Sequence, residues 1–173
     1  MLTTGTLVVY PSQGVGEIEK IDHRSVGGAQ CDFYIVRIRS NRVTLMVPVK
    51  NAANVGLRPL VTPGEAKDIL EALQRDLTEE IFTGQNWNRR FREYTERLKS
   101  SSLPVVAAVL RELLLIGRTK ELSFGERRLL EQAMNLVSEE VSEVLGISAD
   151  NLRNELLALY APLPQENGDL QNA

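Results

Sequence analysis

The spacing of apolar residues changes character once along this chain, close to residue 61. Ahead of that point they come in short runs with partial two-residue alternation, the period of a strand with one buried face. Gly5-Thr6-Leu7-Val8-Val9-Tyr10 is the first run and ends at Pro11, after which Ser12-Gln13-Gly14 carries turn chemistry. Val15 to Ile21 is the second run. Val26-Gly27-Gly28 marks a hairpin turn, and Cys31 to Arg39 alternates through Phe33 and Ile35 or through Tyr34, Val36 and Ile38. Ser40-Asn41-Arg42 turns the chain into Val43-Thr44-Leu45-Met46-Val47-Pro48, and Asn51 to Val61 is a loop or a last short strand. Short strands joined by Gly and Asn turns predict a small antiparallel barrel of the SH3 or Tudor type, filled by its own side chains.

Beyond residue 61 the period lengthens to that of a helix. Thr62 is placed to cap, and Pro63 to open, a helix with Ala66, Ile69, Leu70 and Leu73 on one face. A second helix is predicted from about Asn86 to Lys99, stopped by Ser100-Ser101-Ser102. A third, Leu103 to Arg118, is apolar enough through Val105, Val106, Val109, Leu110, Leu113 and Leu114 to be the buried centre. Ser123-Phe124-Gly125-Glu126 is a capping box opening a fourth helix that runs to about Leu145 and stops at Gly146. Ser148 caps a fifth, through Asn151 to Tyr160. The Glu139-Glu140-Glu143 cluster reads as a solvated face of the fourth helix. Strands first and helices afterwards give the α+β class, not alternating βαβ units. The domains read as the barrel over 1–61, an all-α bundle of about five helices over 62–161, and a polar, disordered tail over 162–173. The junction is expected to be articulated unless a helix packs back onto the barrel.

Charge adds a partner class to this outline. The formal net charge of −3 is uneven: residues 1–61 carry +3, residues 85–99 carry +3, and the remainder −9. Basic patches on an acidic body imply specific docking rather than general affinity for polyanions. One cysteine, Cys31, leaves no disulfide or cysteine-rich zinc site within the chain, and one histidine, His23, removes the usual general base and metal ligand. No nucleophile–base pair, phosphate-cradling glycine loop or metal constellation is apparent. An enzyme, a cofactor, a metal and a small-molecule substrate are therefore not expected. No apolar run approaches membrane-spanning length and the start lacks a signal-peptide pattern, so the expected compartment is cytoplasmic.

Trp87 is the only tryptophan, and it stands in Gln85-Asn86-Trp87-Asn88-Arg89-Arg90-Phe91-Arg92. A core indole is normally flanked by apolar residues at helical spacing, whereas these neighbours are amides and cations. An aromatic wedge in a basic patch equips a protein to bind the minor groove or to pry at a base step. From spacing alone, a helix-start aromatic packed on its neighbours, with Arg89, Arg90 and Arg92 as a solvated face, fits equally well.

Tyr10-Pro11-Ser12-Gln13-Gly14-Val15-Gly16, Val47-Pro48, Asn51-Ala52 and Val55-Gly56-Leu57-Arg58 together resemble the N-terminal signature of the CarD/CdnL family of bacterial transcription regulators. That small domain also occurs in the transcription-repair coupling factor as its polymerase-interacting module. The resemblance resumes at Asn86-Trp87-Asn88-Arg89-Arg90-Phe91 and at Leu122-Ser123-Phe124-Gly125-Glu126-Arg127-Arg128, so it covers nearly the whole chain except the tail. It implies a strand, Val43, Thr44, Leu45, Met46 and Val47, that docks on the β subunit of RNA polymerase by strand addition, supported by Arg24 and Val26. Several relatives place arginine where this chain has Met46, which keeps apolar contact and loses a charge. It also implies that Trp87 inserts at the upstream edge of melted promoter DNA, in the minor groove next to the −10 element. Arg89, Arg90 and Arg92 would neutralise phosphates without reading bases, and Arg127 and Arg128 would add backbone contacts. By spacing, Arg127 and Arg128 are equally suited to surface ion pairs with Glu131 or Glu126.

The reading is thus a non-enzymatic regulator that tethers itself to polymerase, stabilises the open promoter complex and is nucleoid-associated during transcription. The rival reading is an RNA- or ribosome-associated binder, because small SH3-like barrels also serve there.

Overall fold

Proline cannot donate to a ladder, and the chain reverses immediately after Pro11. In the computed structural model, which describes residues 1–84 and 86–164, β1 (Leu7–Tyr10) leads through that turn into β2 (Gly14–Val26). β2 pairs with β3 (Ala29–Ile38) from Gly16↔Ile38 to Val26↔Ala29, with one irregularity between Ile18 and Lys20. β4 (Thr44–Pro48) follows, then a single 3-10 turn at Val49–Asn51 and the two-residue β5 (Arg58–Pro59). The order is β4-β3-β2-β1-β5, antiparallel throughout, so the expected Tudor-like barrel is an open five-stranded sheet with β4 and β5 at its two ends.

β2 reaches five residues past the predicted Ile21 because β3 continues to pair with it. On β2, β1 pairs only with residues 14–17, and on β3, β4 pairs only with residues 33–37, so the outer parts of β2 and β3 form a two-stranded arm with an exposed tip. The core beneath the sheet is Val8, Ile18, Val36 and Ile38, all at 0% exposure, closed by Tyr34, Val47, Ala52 and Leu57.

Five helices follow: α1 (Pro63–Leu73), α2 (Trp87–Leu98), α3 (Leu103–Thr119), α4 (Phe124–Leu145) and α5 (Ala149–Leu159). Local chemistry sets their starts. Thr62 and Glu65 form a reciprocal capping box at α1, and Ser123 and Glu126 form the predicted one at α4. Asn86 accepts from Asn88 N–H at α2, and Ser148 from Asn151 N–H at α5. α3 is the buried centre: Val109, Leu110 and Leu113 are fully enclosed and pack with Ala133, Val137 and Val141 of α4 and Leu152 and Leu156 of α5. Tyr160 O–H donates to the Leu73 carbonyl, tying the end of α5 to the end of α1. Of the tail predicted over 162–173, residues 162–164 are described, and Leu163 N–H donates to the Arg118 carbonyl at 3.0 Å; the remainder lies outside the described residues.

The reading of Glu139, Glu140 and Glu143 as a solvated face is corrected by tertiary packing for Glu139 and Glu140, while Glu143 stays exposed. α4 lies back against the barrel at the β1–β2 turn, and all three carboxylates face it. Glu140, at 1% exposure, takes a bidentate pair from Arg58 and Glu143 takes Arg39 at 2.7 Å. Gly14, at φ +94°, is strained for any side chain, and a Cβ there would also stand 2.9 Å from Glu139 Oε2 and push that carboxylate aside. The glycine of the Tyr-Pro-x-x-Gly turn thus serves the interface as well as the turn.

Candidate functional site

Two separate surfaces collect the residues singled out in the sequence. The first is the β4 end of the sheet. Ile38 N–H donates to the Val43 carbonyl at 2.8 Å, and the register Arg37↔Thr44 to Phe33↔Pro48 then turns Leu45 and Val47 toward β3. Alternation leaves the N–H and C=O groups of Thr44 and Met46 aimed away from the sheet, and Pro48 ends the outward row without an N–H. Thr44 and Met46 are exposed, the latter at 46%, and Leu45 is half-buried. Val47 departs from the expectation of a contact side chain: at 3% exposure it fills the barrel core. Val43 precedes β4 and is exposed.

Arg24 and Val26 stand on the exposed arm, on β2 and not beside β4. The Arg24 Nε donates to Asp22 at 2.9 Å and holds that carboxyl below the usual carboxylate range. Exposed pairs of this kind contribute little stability, so Arg24 is available to another partner.

The second surface is where the N-termini of α2 and α4 meet. Trp87, the first residue of α2, is half-buried, packed at the margin of the helical core. Its mount is specific. A Cβ on Gly125 would lie 2.9 Å from Trp87 Cζ2, so the indole rests directly on the α4 backbone. The Phe91 ring stands 5.8 Å away, tilted by 57°, and the Arg90 guanidinium lies 5.4 Å from the indole centroid and 5.7 Å from that of Tyr94.

Arg90 therefore departs from its expected role at phosphates. It is 7% exposed and pairs with Glu126 at 3.4 Å, beneath the indole instead of beside it. Burial alone would raise the Glu126 carboxyl, but the hydrogen bonds from Ser123, the charge of Lys120 and the bond from Arg90 outweigh it and hold the group below its ordinary range. One carboxylate thus closes the α4 cap and neutralises the buried arginine.

The remaining cations stay outside. Arg89 meets Glu93 at 3.4 Å in an exposed i,i+4 contact, while Arg92, Arg127 and Arg128 are exposed and form no ion pair among the described residues. The alternative pairing of Arg127 and Arg128 is not what forms, because Glu126 is taken by Arg90 and Glu131 by Arg153. Arg128 instead lies 5.9 Å from the Phe124 ring, which is 71% exposed. The exposed cations stand around the capped N-termini of two helices, so this face suits an anionic backbone crossed by an aromatic edge.

Comparison with known proteins assigns both halves. Residues 2–61 match the family model described as "CarD-like/TRCF RID domain", and residues 68–157 match "CarD, C-terminal domain". The chain belongs to the CarD family. Its N-terminal domain, residues 2–61, is that family's RNA polymerase-interacting domain, and the family is one of transcription regulators. The Bacillus subtilis (strain 168) protein named "Putative transcription factor YdeB" is 23% identical over 154 residues, covering 89% of this chain and 99% of its own. A solved structure, "CdnLNt" from Myxococcus xanthus, is 41% identical and covers 35% of this chain and 86% of that one, with a TM-score of 0.31.

In this CarD-family chain two exposed aromatics escaped the sequence reading of the site. Phe91 and Phe124 are 44% and 71% exposed; the first stands beside Trp87 and the second directly precedes Gly125, on which the indole rests. Both stand inside the motifs that carried the resemblance, and a surface aromatic next to arginines was the available signal. No helix among the described residues is long and apolar enough to cross a membrane.

Proposed function

We propose that this CarD-family regulator docks on the β subunit of RNA polymerase through β4 and the Arg24–Val26 arm, and stabilises the open promoter complex through Trp87. The single observation that carries the second half is the mount of the indole. It is braced by Gly125, Phe91 and Arg90, yet half exposed at a cationic surface, so it presents an edge whose position does not depend on the ligand. Unstacking a base step costs on the order of a few kcal/mol, a cost already partly met at the upstream edge of a melted bubble. The wedge therefore favours open DNA over closed duplex, and a ligand shifts an equilibrium only through such differential affinity. Arg92, Arg127 and Arg128, with Arg89, hold the minor groove next to the −10 element through phosphates and without base specificity.

Docking supplies the other half. The outward groups of Thr44 and Met46 accept a partner strand, and Met46 offers a flexible apolar contact there. The weak affinity of a small cationic face becomes effective once polymerase binding raises its local concentration at the promoter.

Loss of base stacking by truncation of an aromatic side chain amounts to roughly 1–3 kcal/mol. Trp87→Ala is expected to shorten open-complex lifetime about tenfold while polymerase still co-purifies; an unchanged lifetime would remove the wedge. Arg24→Glu is expected to weaken polymerase binding severalfold with an unchanged thermal melt, and normal co-purification would take Arg24 out of the interface. High-affinity binding of free structured RNA without polymerase would favour the RNA-associated reading instead.

A further inference from the structure

Within the Val55-Gly56-Leu57-Arg58 motif, Val55 and Leu57 pack into the barrel core, while Arg58 reaches toward the helices. Arg58, on β5, donates through Nη1 and Nη2 to the two oxygens of Glu140 at 2.7 Å each. Its Nε donates to the Ser101 carbonyl in the α2–α3 connection, and Nη1 also reaches the Pro59 carbonyl at 3.0 Å. Glu140 takes a third hydrogen bond from Val61 N–H at 2.9 Å, at the chain crossing between the domains. The carboxylate side chain is 2% exposed and the arginine 21%. This is a different object from the exposed Arg39–Glu143 pair nearby, whose side chains are 45% and 36% exposed.

The backbone around the pair is equally close. Gly56, at φ +82°, has the Pro11 ring 2.9 Å and Ser101 Cβ 3.0 Å from where its own Cβ would stand. The residual space among Val9, Pro11, Arg58, Leu103, Leu136 and Glu140 is about 20 Å³, room for about one water. A bidentate guanidinium–carboxylate pair in such surroundings fixes direction as well as distance.

Its placement in the fold gives that rigidity a use. β5 and β4 stand at opposite ends of the strand order, so the pair grips a different edge strand from the docking one. On the helical side, α4 carries Glu140 in its C-terminal half and Gly125 and Glu126, the mount of Trp87, at its start. Fourteen residues of helix separate Glu126 from Glu140, a span of about 21 Å and nearly four whole turns. We infer that Arg58 and Glu140 are positioning residues: their clasp makes α4 a strut that sets the reach and direction of the Trp87 wedge from the polymerase-docked barrel. The inference rests on the function proposed above. A buried ion pair is weak evidence for stability, and its attested use is to specify one arrangement among several.

The test uses the full-length protein with Arg58→Ala and Glu140→Gln, the second nearly isosteric and leaving an acceptor for Val61 N–H. Residual dipolar couplings report whether the two domains share one alignment tensor, and they move only if relative orientation does. In the wild type one tensor should fit both domains. In each variant two tensors are expected, with the amide spectra of both cores retained, polymerase binding unchanged and open-complex lifetime shortened roughly threefold to tenfold. A single shared tensor in both variants overturns the clasp. Two tensors with an undiminished lifetime overturn the positioning role. Failure of the underlying function is read separately: there Trp87→Ala, which leaves the clasp intact, also has no effect on lifetime.

Discussion

Two arginine–glutamate pairs anchor opposite ends of α4, and they are built differently. Arg58–Glu140 joins two domains through two 2.7 Å hydrogen bonds and leaves the arginine partly wet. Arg90–Glu126 lies inside one domain with a single 3.4 Å contact, and both side chains are below 10% exposure. The second pair is the looser in geometry and the more deeply buried. Its arginine is also held by the indole and Tyr94 rings, and its carboxylate by the Ser123 cap. Removing Glu126 therefore strands the Arg90 guanidinium in the core of a domain. Removing Glu140 leaves the Arg58 guanidinium at a partly wet domain boundary, which frees an orientation while both cores survive.

Glu126→Ala breaks this comparison most sharply. It leaves the Arg90 guanidinium buried without its counter-ion and deletes the α4 capping box. The helical domain is expected to lose about 3 kcal/mol, read as a lower midpoint in urea denaturation. A midpoint within error of the wild type would mean that the aromatic rings suffice for Arg90.

Gly125→Ala sharpens it at the same end. Alanine is the better helix former by up to about 1 kcal/mol, so stability should hold or rise slightly. The added methyl nonetheless meets the indole at 2.9 Å, and the ring must move. A shifted Trp87 emission maximum and a shorter open-complex lifetime, with polymerase affinity intact, are expected. An unchanged emission maximum would show that the ring does not depend on that close approach.

The smallest effect belongs to Glu139, beside the interdomain pair. Burial against the barrel pushes its carboxyl up to about 7 from an ordinary 4.5, opposed by Arg39 and the Val15 backbone bond and reinforced by Glu140. Its Oε1 has no hydrogen-bond partner. Below pH 4.5 the group is protonated in folded and unfolded chains alike. Between there and about pH 7 the unfolded chain releases the proton while the folded chain keeps it, so stability falls as pH rises and then levels. Glu139→Gln should remove that slope and raise the melting temperature at pH 8 by roughly 2 °C. A melting temperature with the same pH dependence in both proteins would contradict it.

What the chain determined by itself is what short-range chemistry controls. Thr62, Asn86, Ser123 and Ser148 cap helices, Pro11 and Gly14 turn the chain, and Gly146 ends α4 because each acts on backbone within a few residues. The open edge at β4 was not legible in this way: an apolar strand from Val43 to Val47 fits a covered strand by itself, and only the family resemblance implied an edge. The candidate site was legible in residue type, since Trp87 and its arginines stand in one motif.

Which arginine stays outside was a tertiary decision. Arg89, Arg90 and Arg92 are interchangeable by composition, but only Arg90 turns inward to Glu126, thirty-six residues away. Val47 and Met46 are separated in role by which face the sheet closes over. Glu139, Glu140 and Glu143 read as a solvated cluster until α4 meets the barrel and brings Arg58 to Glu140 across eighty-two residues. A charged side chain at helical spacing carries no mark of whether water or an opposing charge will face it. That is set by which surfaces the fold brings within hydrogen-bond distance, and the desolvation of the pair follows from it.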